Sequence, residues 1–341
     1  MVSPNTVFAA SVYVVTIACL FLICTTYFTE EISRVTLNIS HVRMAVATLV
    51  RDQASYLPEW IEFHHMLGCD LFLIYDHYSV DNTSDVLAPY IDTGLVVLID
   101  ALAAFPVRCI PTGGAHKQAR CQVSVFNHAL AAVKGKARWM GNFDVDEFIY
   151  PVNGSSLVDA LDRTYASVDA VRLTEPAFGG NGLEKKATPD ADGNILVTKL
   201  FTRRVSTSLT SDRFDHCRFQ HKTLYNPGKV DKVQIHDVEC VACIRVGIPP
   251  LADDIRMNHY QFKSKEEQEQ KAAMNGNSGL YFDPMVTAIV NEVEDLGIQY
   301  LLPALKRNLA QRHATSMAVR PETPPTGTIY LKILLDEINF H

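Results

Sequence analysis

Trp139-Met-Gly-Asn-Phe-Asp-Val-Asp-Glu-Phe148 is the stretch on which the reading of this chain turns. Trp139 to Phe143 has the character of a strand, and it runs directly into Asp144-Val145-Asp146. Two carboxylates at i and i+2, placed where a strand ends and the chain turns, can converge on one divalent cation. Mg²⁺ and Mn²⁺ suit such a hard, incompletely filled oxygen shell, which keeps positions open for phosphate oxygens. An isolated Asp-x-Asp is commonly no more than a solvated turn. What precedes this one changes its weight.

Upstream, from Arg43, strands and helices alternate. Met44 to Val50 is a compact apolar run of strand length. Leu57 to Leu67 follows as an amphipathic helix, with Pro58 suited to its first turn and Gly68 just past its end. Leu71 to Tyr75 is a second strand, Asp81 to Ser84 caps a helix through Ile91, and Leu95 to Ile99 is a third strand. A longer helix over Lys117 to Val133 leads into the Trp139 strand. This rhythm predicts an α/β fold, a mostly parallel, Rossmann-like central sheet covered by helices on both faces. Ligands of such sheets sit beyond the carboxyl ends of the strands, where Arg51-Asp52, Asp76 and Asp144-Asp146 all fall. After Pro151 the pattern loosens. Ser155 to Tyr165 reads as a helix, Ala170 to Leu173 as a strand, and Phe178 to Asn194 as loops. Ser264 to Met274 and Pro284 to Leu309 are helical by periodicity, and a Pro-rich tail starts at Arg320.

Several of these residues have a chemical and a structural reading. Asp52 or Asp76 at a strand end can accept from ribose hydroxyls or a base N–H, or can simply cap the next helix. For Asp81 the cap is the better reading. Arg51 can position phosphate with directed donors. Of the 12 histidines, His259 stands out, beside an aromatic in Asn258-His-Tyr260 and far downstream of the acidic pair. A nucleophilic displacement needs a carboxylate base, and Glu175, Asp212 and Asp215 are the candidates, among which the sequence does not choose.

Composition sets the outer limits. The chain has 341 residues, 48% hydrophobic and 20% charged, with a formal charge of -7 and no long basic run, which disfavours a nucleic-acid partner. Val7 to Phe28 is uncharged and long enough to cross a ~30 Å hydrocarbon core as a helix. No basic residue precedes it and no small-x-small cleavage site follows, so it reads as an uncleaved anchor. Sequons at Asn38, Asn82 and Asn153 favour a luminal body, with Asn38 the best placed for glycosylation. Cys19 and Cys24 lie in the anchor. The six cysteines of the body, Cys69, Cys109, Cys121, Cys217, Cys240 and Cys243, allow disulfides whose pairing is not legible. The Cys240-Val-Ala-Cys243 pair is read as structural thiols or disulfides.

Taken in order, these motifs resemble glycosyltransferase family 92. The resemblance begins with Arg51-Asp-Gln-Ala-Ser-Tyr-Leu-Pro-Glu-Trp60, His64, Leu67-Gly68 and Ile74-Tyr-Asp76 with Ser79 and Asp81. It continues through Gln122, Phe126-Asn127, Leu130 and Trp139 to Phe148. Phe178-Gly-Gly-Asn-Gly182, Arg213-Phe214, His221-Lys222, His236 and Asn258-His-Tyr260 follow. It covers about residues 44 to 275. The resemblance implies a GT-A-type nucleotide-sugar-binding domain over residues 43–312, behind a cytoplasmic tail (1–6), a transmembrane signal anchor (7–28) and a stem (29–42). A C-terminal tail takes up 313–341. It implies a single-pass type II protein of the Golgi or another secretory membrane, moving a sugar onto a glycan acceptor with inversion, the donor being UDP-galactose. Asp144, Asp146 and His259 would hold Mn²⁺ (or Mg²⁺), and Gln122 joins Arg51, Asp52 and Asp76 on the donor side. The family commonly reads Arg-Asn-Glu where this chain has Arg51-Asp52-Gln53, a departure that bears on the donor contacts. The competing reading is a catalytically silent sugar-binding or scaffolding protein, against which the intact Asp144, Asp146 and His259 count. A nucleotidyl- or phosphotransferase would need a phosphate cradle, and Gly113-Gly114 is too short for one.

Overall fold

The computed structural model describes residues 42–110, 114–154, 156–206, 220–239, 254–275 and 283–318. All of them belong to one unit, Ile39–Tyr330. The predicted anchor Val7–Phe28, the sequon Asn38, the base candidates Asp212 and Asp215, Arg213-Phe214, and Cys217, Cys240 and Cys243 lie outside the described residues. Among those described, no helix is long and apolar enough to cross a membrane.

The alternation read from the sequence is present. Strand β1 (Val42–Val50) is followed by α1 (Leu57–Met66), β2 (Leu71–Asp76), α2 (Thr83–Asp92) and β3 (Val96–Asp100). Then come α3 (Gly114–Val133), β4 (Ala137–Asn142) and β5 (Glu147–Pro151). The second half contributes α4 (Leu157–Tyr165), β6 (Ala170–Thr174), β7 (Arg203–Arg204), β8 (His221–Tyr225), β9 (Lys232–Val233) and β10 (Val238–Glu239). Strand β11 (Ile255–His259), α5 (Lys265–Asn275), β12 (Val293–Glu294) and α6 (Leu302–Ala318) complete it. The main sheet has six strands in the order β3-β2-β1-β4-β8-β6. β1 to β4 are parallel, as the sequence predicts, whereas β8 runs antiparallel between β4 and β6. The sheet is therefore mixed at one side.

The central strand β1 is apolar on both faces, with Met44 to Ala47 wholly buried, as expected for a parallel strand covered above and below. Helix α1 buries Leu57, Trp60, Ile61 and His64. His64 is a core histidine: its Nδ1 meets Trp60 O at 2.8 Å and its Nε2 accepts from Ile149 N at 3.3 Å. Burial lowers its pKa to about 4, so the ring is neutral and each nitrogen has one role.

Register fixes where the strands end. Val50 is paired with Asp76 and Asp76 with Asp100, so these three carboxyl ends stand level. A disulfide between Cys109 and Cys121, Cα atoms 4.7 Å apart, ties the segment after β3 to α3. Cys69 is buried and free. One expectation is corrected. The periodicity over Pro284 to Leu309 is not one helix but Pro284–Ile289, the short ladder of β12 with β7, and then α6. A turn at Asp295-Leu-Gly297, where Asp295 accepts from Gly297 N at 2.9 Å, separates them. The pairing of Val293 and Glu294 with Arg204 and Arg203 outweighs the local helical pattern.

Candidate active site

Beyond the end of β4 the chain turns through Asp144-Val-Asp146 and returns as β5. Gly141 makes the turn compact, because a Cβ there would lie 2.3 Å from the Phe143 ring. β5 pairs antiparallel with β11, and this register sets His259 opposite Glu147. On its other side His259 bridges to Ala177, and its carbonyl accepts from Phe178 N at 2.7 Å. Asp146 O accepts from Tyr260 N at 2.7 Å, which closes the turn onto β11. Trp60 of α1 donates its indole N–H to Glu147 O at 3.0 Å from the opposite side.

These pairings bring Asp146, Glu147 and His259 together, one ligand atom of each lying within 4.8 Å of the others. His259 Nε2 is 3.6 Å from Asp146 Oδ1 and 3.9 Å from Glu147 Oε1, while its Nδ1 is 3.8 Å from Glu175 Oε2. Burial pushes the imidazole down to about 4, so it is neutral near pH 7 and keeps a lone pair for a cation. Asp144 lies beside this triad and faces elsewhere. Its Oδ1 accepts from Gln122 Nε2 at 2.9 Å and its Oδ2 is 3.1 Å from Lys222 Nζ. Of the three ligands expected from the sequence, Asp146 and His259 meet at one point with Glu147, and Asp144 is bound to Lys222 and Gln122.

Charge explains how so many carboxylates share this space. Lys222, wholly buried on β8, reaches Asp144 and also Glu147 Oε2 at 3.3 Å. Burial alone would lower its pKa, but Asp144, Glu147 and Glu175 outweigh that and raise it. Asp144 is held below the usual carboxylate range, because Lys222 outweighs the effect of burial. Asp146 is likewise held low against burial by Lys271 and Lys263, each 3.5 Å from Oδ2. Glu147 and Glu175 behave oppositely. Burial raises both, Glu175 to about 8, and their mutual repulsion raises Glu147 further, so the pair retains a proton at neutral pH. Oε1 of Glu147, both oxygens of Glu175 and Nδ1 of His259 are buried and meet no hydrogen-bond donor or acceptor.

The donor-side candidates line the neighbouring strand ends. Asp52 stands in the left-handed region with φ 53°, its N–H donating to Ser79 Oγ at 3.0 Å and its Oδ1 accepting from Val80 N at 2.7 Å. Asp76 accepts from Ser79 N at 3.2 Å. Arg51 is exposed, its Nε 3.8 Å from Asp52 Oδ2. Asp81 accepts from Thr83 N and Oγ1 and from Ala54 N, one residue ahead of the N-cap Asn82, so it braces the turn before the helix and ties it to the segment after β1. Asp100, not singled out by the sequence, caps the short helix Ala101–Ala104.

Glu147, Lys222, Lys263 and Lys271 were not foreseen as part of the site. Glu147 had a sequence signal, a carboxylate opening the apolar run Phe148-Ile-Tyr150. Lys222 stands in the His221-Lys222 motif of the resemblance, with no role assigned to it; Lys263 and Lys271 had no signal, because they are counter-ions brought from the α5 region by tertiary pairing. The Gly179-Gly180 pair has a clear purpose in hindsight: a Cβ on Gly180 would lie 2.0 Å from Lys263 O, so only glycine lets the Lys263 segment come this close.

The chain matches the model of glycosyltransferase family 92 over residues 41–242. A glycosyltransferase family 92 protein of Ricinus communis is 30% identical over 234 residues, which cover 67% of this chain and 37% of that protein. One of Oryza sativa subsp. japonica is 28% identical over 241 residues, covering 67% of this chain and 35% of the relative. The chain thus matches only a little over a third of the length of these relatives. Among solved structures, S. aureus TarS 1-349 is similar with a TM-score of 0.31 and 11% identity, over 86% of this chain and 76% of that one.

Proposed function

We infer that the chain, which belongs to glycosyltransferase family 92, moves a sugar from a nucleotide sugar onto a hydroxyl of a glycan acceptor. The reading is refined to galactose from UDP-galactose, transferred with inversion by a GT-A-type domain. The body is read as luminal, held in a Golgi-type membrane by residues 7–28. The observation that carries it is the buried triad Asp146, Glu147 and His259 beyond the carboxyl ends of a mostly parallel sheet.

That triad suits a hard divalent cation. It offers two carboxylate oxygens and a neutral imidazole, and Glu147 Oε1 is met by no donor beyond the proton its pair with Glu175 retains. Lys263 and Lys271 engage Asp146 through Oδ2, which leaves Oδ1 turned toward His259. Asp146, Glu147 and His259 would hold Mn²⁺ or Mg²⁺, with Asp144 beside them fixed by Lys222 and Gln122. When bound, the ion supplies charge neutralisation for a departing diphosphate.

The chain's own residues account for the rest. Asp52 and Asp76, on adjacent strand ends, suit ribose and base recognition, and exposed Arg51 suits phosphate. The disulfide at Cys121 fixes the turn of α3 that carries Gln122, so the Gln122–Asp144 contact is built in before a donor arrives. Inversion is a single displacement. The acceptor oxygen attacks the anomeric carbon as the bond to the diphosphate breaks, and the hydroxyl proton passes to a carboxylate. Glu175 is sealed behind His259, so we assign it to steadying the ring rather than to taking that proton. Asp212 and Asp215, the other two candidates, lie outside the described residues. The test is a panel of nucleotide sugars with diphosphate release followed under Mn²⁺ and under chelator. UDP-galactose should stand out and chelator should stop release. No release from any donor would remove the transferase reading.

A further inference from the structure

Asn153 stands on the turn that leaves β5. Pro151 ends that strand, Val152 N donates to Asp254 O at 2.8 Å, and Gly154 sits in the left-handed region with φ 74°. Asn153 and Gly154 are both exposed. In the sequence Asn153 opens Asn-Gly-Ser155, an acceptor triplet for N-linked sugar. Tyr300 lies against the same turn. Its hydroxyl donates to Pro151 O, and a Cβ built on Gly154 would lie 3.8 Å from its ring carbon Cε2. Tyr300 is nevertheless 43% exposed. Its polar end is thus held by the chain while the ring offers solvent an apolar face beside Asn153, a surface on which one face of a pyranose can pack. Asn82 also opens a triplet, but in a different setting. It is the N-cap of α2, two residues after Val80, whose N–H donates to Asp52, so a glycan there would crowd the donor-side strand ends. Strand β5 instead runs from Glu147 of the triad out to Pro151, which carries the Asn153 turn roughly 15–20 Å along the chain from the triad.

We propose that Asn153 carries an N-linked glycan whose first N-acetylglucosamine packs on the Tyr300 ring. The proposal rests on the reading of the body as luminal and is independent of which sugar the strand-end site transfers. In the modification, the Asn153 amide nitrogen bonds to the anomeric carbon of an N-acetylglucosamine on a lipid-linked oligosaccharide. The bond from that carbon to the lipid diphosphate breaks, and the amide gives up one proton. The donor and the transferring enzyme come from the secretory pathway. The attached sugar covers exposed apolar surface without approaching the triad, so the change it brings is in stability.

The experiment expresses the full chain in a eukaryotic secretory host and reads its glycopeptides by mass spectrometry. Ser155→Ala keeps Asn153 and removes the triplet. A glycan on Asn153 of wild type, absent from Ser155→Ala, is expected. In protein from this host, Ser155→Ala should lower the melting temperature by about 2 °C, the scale of one aromatic contact in a domain of this size. The same pair made in a bacterial host that adds no N-glycan should show no such difference. Tyr300→Phe keeps the ring and should keep the glycan-dependent difference, whereas Tyr300→Leu should abolish it. A bare Asn153 beside a glycan on Asn38 or Asn82 overturns the proposal and leaves the luminal reading standing. No glycan on any of the three overturns both. An occupied Asn153 whose glycan stabilises wild type and Tyr300→Leu equally overturns the packing on the ring.

Discussion

Under the short helix Val197–Leu200, Glu59 accepts from Val197 N at 2.6 Å, Thr198 N at 3.1 Å and Thr198 Oγ1 at 2.6 Å. At the end of β6, Glu175 is as deeply buried, yet neither of its oxygens meets a donor, and Glu147 Oε1 and His259 Nδ1 beside it are in the same condition. A buried polar group that only holds the fold together is normally answered by the chain itself. Glu59 follows that rule, joining α1 to a segment some 138 residues away. The strand-end cluster breaks it at four atoms in one place. The contrast separates a carboxylate answered by the chain itself from a cluster that, on the proposed reading, is completed by a cation at Asp146, Glu147 and His259.

The largest effects expected from that contrast are at the triad. Asp146→Asn and His259→Ala should each reduce transfer by on the order of 10²-fold or more, the range found when a main electrostatic contact to developing charge is deleted. Asn keeps the size of Asp146 but removes the charge on which a hard cation depends. Asp146→Asn should also lower the melting temperature, because it removes the counter-charge of buried Lys263, so transfer is compared per folded molecule. Asp144→Asn should also reduce transfer, through its contact with Lys222. If transfer per folded molecule in Asp146→Asn and His259→Ala stayed near wild type, the cluster would be structural and the comparison with Glu59 would collapse.

Glu175→Gln is the next test. Glu175 lies behind His259, where a carboxylate orients an imidazole, and losing such support typically costs 10–100-fold in metal affinity or activity. We expect Mn²⁺ binding to weaken by about 10-fold. Stability should hold or rise, because the substitution removes the repulsion that lifts Glu147. A loss of turnover with Mn²⁺ affinity unchanged would make Glu175 the base instead.

The two regions also differ in how legible they are from sequence. β1 to β4 announce themselves as apolar runs separated by capped helices, and the acidic residues at their ends follow from that alternation. β8 does not, because His221-Lys-Thr-Leu-Tyr225 has only two apolar side chains, and Lys222 is buried only because Asp144 and Glu147 meet it there. The pairing of β5 with β11 spans residues far apart in sequence, so the meeting of Glu147 with His259 has no local pattern. Asp146 and His259 could be singled out by position and residue type. Their lysine counter-ions could not, since a lysine on a helix such as α5 reads as a solvated face.

A middling effect is expected at Glu59 itself. Glu59→Ala leaves three buried donors without an acceptor and should destabilise the fold by about 2–3 kcal/mol, as such orphaned groups do, with turnover per folded molecule unchanged. The pH dependence has a definite sign. Burial lifts Glu59 from 4.5 to about 7 even against its three donors. The folded protein then keeps a proton that the unfolded chain releases. The stability this contributes is full below pH 4.5, falls as pH rises, and is gone above about pH 7. Glu59→Gln does not titrate, so the stability of wild type relative to this variant should shrink across that window in isothermal denaturation. A difference that is flat or grows with pH would show Glu59 ionised throughout and the clamp to be a simple charge-dipole contact.

The smallest expected effect is at Asp52, where the two kinds of region meet. Its backbone is left-handed, φ 53°, and its Oδ1 accepts from Val80 N, so it holds a turn as Glu59 holds a helix. Its position level with the other strand ends also makes it a donor-side candidate. Asn tolerates the left-handed region well and keeps an oxygen for Val80 N, and it is the residue commonly found here in the resembling family. Asp52→Asn should therefore change stability by no more than about 0.5 kcal/mol. Asp52→Ala, which loses the acceptor and suits that backbone poorly, should cost about 1 kcal/mol. If Asp52 only accepts from a ribose hydroxyl, the Asn carbonyl serves as well, and UDP affinity should stay within about threefold of wild type. A tenfold loss of UDP binding in Asp52→Asn, with the melting temperature unchanged, would show that the charge itself is used. Asp52 would then stand with the strand-end cluster and not with Glu59, and the departure from Arg-Asn-Glu would be a change in how the donor is held.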